Sequence, residues 1–261
     1  MLLVIDIGNT NTSLGVFAGD TLTTHWRLTT ERSRTVDEWG VLARNLFALA
    51  DLDFKTIDAI AVASVVPPLN FTLKRMAEVY FEITPLFIDH SIDTGLRILY
   101  QPASDVGADR IVDAVAAIHK YGAPCIVVDF GTATTFDAIN SQGEYLGGVI
   151  TPGITISADA LFERAAKLPR VEIKRPQNII GSATVEAMQS GLYHGYVGLV
   201  DGILRKMIDE LGGTARVIAT GGLASLIATG SEFIEQVDET LTLEGLRLIY
   251  ERSLRKTLSN V

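Results

Sequence analysis

Apolar residues along this chain come in two rhythms. Leu2 to Ile7 is an almost unbroken apolar run, Ser13 to Phe17 is a second short run, and Leu22 to Leu28 alternates apolar with polar. Runs of this length, separated by Gly, Asn, Asp and Thr, predict three strands joined by tight turns. From Val36 to Ala50 the apolar positions return every three or four residues, which predicts a helix with one face in a core. Buried strands are expected over Ile57 to Ser64 and Thr84 to Ile88, with a helix from Leu69 to Glu82 between them. A further helix over Asp105 to Lys120 leads to a hairpin at Cys125 to Asn140 and a third strand at Tyr145 to Ile150. Helices follow over Ile154 to Lys167 and Ser182 to Leu211.

The pattern repeats. LLVIDIGNTNTSLGVF at 2–17 is echoed by CIVVDFGTATTFDAI at 125–139, with Asp6 matching Asp129 and Gly8 matching Gly131. A second pair, AIAVASVV at 59–66 and RVIATGGL at 216–223, follows in the same order. So long a period implies a duplicated domain rather than a solenoid. Strand-rich starts followed by alternating helices and strands predict an α/β fold of two lobes, 1–118 and 119–261, each a mixed sheet flanked by helices. The lobes are expected to face each other across a cleft. In open α/β sheets ligands collect beyond the carboxyl ends of the strands, where Asp6 and Asp129 fall.

Composition narrows the class. The 261 residues are ample for two cores, and the net charge of −9, with no basic stripe, argues against nucleic-acid binding. Apolar runs are far shorter than the roughly 20 residues of a membrane span, and no basic residue precedes an apolar leader. A cytoplasmic protein with no membrane partner is therefore expected. The single Cys125 excludes an internal disulfide, and the four histidines have no partners at metal-ligand spacing.

A carboxylate ending a buried strand is costly unless compensated. Asp6 alone could close a local turn through Gly8 and Asn9. Repeated at Asp129, the arrangement suits a polyphosphate cradle, in which backbone N–H groups and hydroxyls meet phosphate and carboxylates meet a divalent cation. The sequence has no GxxxxGK[ST] loop, no GxGxxG at the first turn and no protein-kinase catalytic loop. In SDVGADRIVDAV, Asp105, Asp109 and Asp113 fall on one helical face at four-residue spacing, an unfavourable row that marks a candidate site. Arg110 reads either as an anion donor or as half of a surface ion pair. Gly221 and Gly222, after a buried strand, either admit a nucleotide backbone-close or simply end the strand. Gly191, Gly195 and Gly198 lie within the long helix, where glycine is unfavourable by up to about 1 kcal/mol. Close packing would compensate, either within the lobe or against a second chain.

The ordered set DIGNTN (6–11), GADR (107–110), DFGTATT (129–135), GGVITPG (147–153), LPRV (168–171), GSATVEAMQSGLYHGYVGLVDGI (181–203) and ATGGLA (219–224) resembles the type III pantothenate kinases. These belong to the acetate and sugar kinase/Hsp70/actin superfamily of duplicated ribonuclease H-like domains. The resemblance implies phosphorylation of pantothenate by ATP, the first step of coenzyme A synthesis. It also implies ATP at Asp6, Ile7, Gly8, Asn9, Thr10, Asn11, Thr12 and Ser13, at Thr132, and at Gly221 and Gly222. Pantothenate would meet Tyr100, Gly107, Ala108, Asp109, Arg110 and Thr184, with Asp109 as the catalytic base. Asp129 would hold a monovalent cation, K⁺ or NH₄⁺, while Asp6 would serve Mg²⁺ through the phosphates. A homodimer is implied as well. Two other readings stay open on the residues: a kinase for another small hydroxylated acid, and a non-catalytic actin-like nucleotide switch.

Overall fold

The computed structural model describes residues 1–259. The chain divides into two compact units, and the first is built from three pieces of sequence: 1–96, 100–116 and the segment from Leu241 onward. The second comprises 97–99 and 117–240.

In the first unit a five-stranded sheet has the order β3-β2-β1-β4-β5. Its strands are β1 (Leu2–Ile7), β2 (Asn11–Ala18), β3 (Thr21–Thr29), β4 (Ala59–Ser64) and β5 (Leu86–Ile88). The hairpin pairs are antiparallel, whereas β4 lies parallel to both β1 and β5. Leu3, Ile5 and Ile7 point to one face and join Trp39, Phe47, Leu69 and Leu73 in a single core. Those partners come from helix α1 (Val36–Leu49) and helix α2 (Pro67–Met76). Helix α1 starts where Thr35 and Glu38 form a reciprocal capping box. Helix α2 starts at Pro67, where proline's missing N–H costs nothing, and widens into a π turn over Ala77–Phe81.

The second unit repeats the plan. Its strands are β7 (Cys125–Phe130), β8 (Ala133–Ile139), β9 (Glu144–Pro152), β10 (Arg216–Gly221) and β11 (Gln236–Val237). With the short β6 (Arg97–Ile98), these form the order β11-β10-β7-β8-β9-β6. Apart from β6 this is the first sheet over again, parallel and antiparallel neighbours included. One face packs Ile126, Val128, Phe130 and Phe136 against Tyr193, Tyr196, Val200 and Leu204 of helix α5 (Thr184–Glu210). The remaining helices are α3 (Ala108–Tyr121), α4 (Ile154–Arg164), α6 (Ala224–Ala228) and α7 (Leu241–Ser259).

Three expectations need correction. A cut between residues 118 and 119 does not give the units, because α7 packs in the first. Its Leu243, Leu246 and Ile249 are buried, and Gly15 makes room for it: a Cβ there would stand 3.1 Å from Leu243 and 3.2 Å from Val4. The helix expected from Asp105 begins instead at Ala108, with Ala103–Asp105 a separate 3₁₀ turn. Asp105 is thus exposed outside the helix, and the three-acid face reduces to Asp109 and Asp113. The glycines of α5 do not pack within the unit, since a Cβ at Gly191, Gly195, Gly198 or Gly202 would meet nothing within 4 Å.

Candidate functional site

Within the first unit, the β1–β2 turn and the start of α3 form one constellation. Asp6 is half-buried near the end of β1, paired in register with Ser13 of β2 and Ala63 of β4. The turn is closed by the Gly8 N–H donating to the Asn11 carbonyl at 3.0 Å, which leaves Asn9 and Thr10 exposed at its tip. Ile7 and Thr12, by contrast, are fully buried. Ile7 is core, and its carbonyl accepts from the Val65 N–H at 3.0 Å. The Thr12 hydroxyl shares a 2.9 Å hydrogen bond with Thr30. A buried carbonyl and a buried hydroxyl so engaged hold the turn's shape, and the residues presented outward are Asn9 and Thr10.

Val65 links this turn to the GADR segment at 107–110. A Cβ on Gly107 would lie 3.4 Å from Val65 Cγ1 and would overlap the Asp109 carboxylate. Gly107 therefore lets that carboxylate fold back over the helix start, where Asp109 Oδ1 accepts from the Arg110 N–H at 2.8 Å. Acids are favoured there by the unpaired N–H groups of the first turn. Asp109 is half-buried and Asp113 buried. Arg110 retains only 9% exposure, so its guanidinium lies inside the unit and not on the surface. Tyr100 is half-buried in the loop after β6.

The second unit assembles its own set. Asp129, near the end of β7, is paired in register with Thr135 and Thr220. Its carboxylate lies between two glycine turns: Oδ2 would be 3.3 Å from a Cβ on Gly131, and Oδ1 would clash with one on Gly221. Gly221 has φ +90, in the left-handed region, and a side chain there would also meet the Phe130 N at 2.7 Å. Only glycine suits both demands. The Gly131 N–H donates to Ala133 O at 3.1 Å, closing the counterpart of the Gly8 turn, and Thr132 is exposed at its tip. Gly222 is exposed beside Gly221. Thr184 is exposed at the first position of α5 and makes no hydrogen bond to the Asp129 turn among the described residues.

Among the described residues no three His, Cys, Asp or Glu side chains converge as metal ligands. Each Asp-Gly turn instead offers one carboxylate with hydroxyls and backbone groups nearby, a hard oxygen donor set that suits a cation shared with phosphate. No helix among the described residues is long and apolar enough to cross a membrane. The sequence reading missed Thr30 and Arg32, which bond to the first turn. No local pattern in the sequence marks them, because the register of β2 with β3, which pairs Asn11 with Thr29, is what brings them to the turn.

Residues 2–206 match the family described as type III pantothenate kinase. The chain belongs to this family. Similar proteins named type III pantothenate kinase include one from Koribacter versatilis, 56% identical over 98% of this chain and 97% of the relative. Another, from Anaeromyxobacter sp., is 58% identical over 97% of this chain and all of the relative. The fold resembles that of the 2-hydroxyisocaproyl-CoA dehydratase activator from Clostridium difficile with bound ADPNP, at TM-score 0.56 and 11% identity over 100% and 97% of the two chains. It also resembles an inorganic polyphosphate/ATP-glucomannokinase from Arthrobacter sp., at TM-score 0.51 and 15% identity over 97% and 98%. The expected architecture of paired mixed sheets flanked by helices, in the actin-like and sugar kinase class, is the one found. Membership of the type III pantothenate kinases makes the protein a kinase.

Proposed function

We propose that this kinase transfers the γ-phosphoryl group of ATP to the primary hydroxyl of pantothenate, giving ADP and 4′-phosphopantothenate. The observation that carries the reading is the placement of Asp109 at the N-terminus of α3, with Gly107 against Val65 and Val65 bonded to the Asp6 turn. A group that takes a proton and a turn suited to phosphates therefore share one end of one sheet. An alcohol is far less acidic than a carboxylic acid, whose ordinary pKa is about 3.9, so Asp109 would orient the hydroxyl and receive its proton late in a loose transition state. The pantothenate carboxylate is assigned to the N–H groups of the same helix start and to Arg110, with Tyr100 and Thr184 as further contacts.

The nucleotide phosphates are assigned to Gly8, Asn9, Thr10, Asn11 and Ser13, and the nucleoside end to Thr132, Gly221 and Gly222. Asp6 would hold a Mg²⁺ that neutralises phosphate charge. Asp129, cradled between two glycine turns, would take K⁺ or NH₄⁺. A homodimer is proposed with the glycine face of α5 as its contact, because that face is bare and α5 carries no compensating packing there.

The test is ADP release by the purified protein with ATP, Mg²⁺ and K⁺, with and without pantothenate, beside Asp109→Asn. Pantothenate-dependent turnover that falls by roughly 10²-fold or more in the variant is expected for loss of a group acting on the transferred proton. Turnover that does not depend on pantothenate, or an unaffected variant, would overturn the assignment.

A further inference from the structure

The kinase has no P-loop lysine, yet phosphate transfer needs positive charge near the nucleotide. The end of β3 supplies it. Thr30 is stitched to the first turn three times: its N–H donates to Thr10 O at 2.9 Å, its hydroxyl donates to Gly8 O at 2.8 Å, and it shares a hydrogen bond with Thr12 at 2.9 Å. Two residues on, Arg32 Nη2 donates to Asn9 Oδ1 at 3.0 Å.

Arg32 differs from the charges around it. Glu31 is occupied by the N–H and hydroxyl of Ser33, which hold its carboxyl below the usual range. Glu38 caps α1 and Asp37 accepts from Tyr80. Arg32 forms no ion pair among the described residues, and its one side-chain acceptor is the amide at the tip of the turn. Guanidinium has donors only, so the Asn9 amide must present its oxygen to Arg32. The Asn9 NH₂ group is then left as the donor available to an anion. Arg34 adds a second guanidinium to the segment, stacked 4.9 Å from the Trp39 ring, with a buried Nη1 that has no protein acceptor.

We infer that Arg32 is a positioning residue for the nucleotide polyphosphate: it orients the Asn9 amide donor-outward and places a positive charge at the tip of the turn. This rests on the assignment of the phosphates to the Asp6–Ser13 turn.

The experiment measures KM for ATP and for pantothenate, kcat and Tm for Arg32→Ala, Arg32→Lys, Asn9→Ala and the Arg32→Ala/Asn9→Ala double variant, with Asp6→Asn run alongside. Arg32→Ala should raise KM for ATP about tenfold, the scale of one charge-assisted contact, with KM for pantothenate and Tm unchanged. The rise should shrink in high salt, Arg32→Lys should restore most of it, and the double variant should be no worse than the worse single variant. A KM for ATP within about twofold of wild type, or additive effects of the two single variants, overturns the role of Arg32 whenever Asp6→Asn abolishes activity. If Asp6→Asn leaves activity and KM for ATP intact, the phosphates do not sit on this turn, and the inference falls with that assignment.

Discussion

Gly221 shows how tightly one position can be specified. Its φ of +90 strains any side chain, and a Cβ would press on the Asp129 carboxylate and the Phe130 N–H. Gly221→Ala is expected to lower stability by about 1–3 kcal/mol, and to weaken activation by K⁺ if Asp129 holds that ion. Thermal unfolding and a K⁺ titration of turnover report the two effects separately. Asp238 is a second such residue. Burial opposes its charge, but Lys120 Nζ at 2.6 Å and the Tyr121 hydroxyl at 2.8 Å outweigh burial and hold its carboxyl below the usual range. A depressed folded-state value means that the stabilisation is present above the unfolded carboxyl pKa of about 3.9 and is lost as pH falls through the folded value. Asp238→Asn should therefore cost about 1–2 kcal/mol near neutrality, with wild type and variant converging in denaturation curves at the acid end. Cys125 is fully buried with its thiol pushed up to about 12 by desolvation, so a thiol reagent at pH 8 should label it only after unfolding.

At the scale of elements, the hairpin β1–β2 and its copy β7–β8 were legible because a buried strand ending in Asp-x-Gly gives both a period and a stop. Helix α1 was legible from the spacing of its apolar positions, and its capping box of Thr35 and Glu38 fixes the start in the structure. The end of α2 was not, because Ala77–Phe81 continues the helical rhythm in π geometry and no residue announces the change. The start of α3 was misplaced because an Asp such as Asp105 is a good N-cap residue, while at the actual start it is the Asp109 carboxylate that folds back to the Arg110 N–H, in space that only Gly107 leaves open. The same limit applies to the site. DIGNTN and GADR stand out as phrases, whereas Thr30 and Arg32 join the turn only through strand pairing. Helix α7 went unread because its apolar positions Leu243, Leu246 and Ile249 matter only once a sheet face exists to receive them. Leu246→Ala should accordingly cost about 2–4 kcal/mol in urea unfolding, since that side chain is fully buried.

For the molecule as a whole, duplication explains why two sheets with different surroundings share one strand order. Each copy keeps the Asp-Gly turn, but the first carries GADR at 107–110 in its own unit and the second carries the paired glycines. The bare face of α5 belongs to this scale too. If two chains meet there, sedimentation should give twice the chain mass, and Gly195→Leu, too bulky for a close helix contact, should give single chains with their fold intact. Sedimentation as single chains by the wild type would remove the dimer proposal. The return of α7 to the first unit has a consequence for synthesis. The strands that leave the ribosome first, β1 and β2, can bury their second face only after the last helix has been made. Until then Val4 and its neighbours stay open to water and to other nascent chains. A chain stopped at Thr240 would be a client for chaperones rather than a smaller kinase.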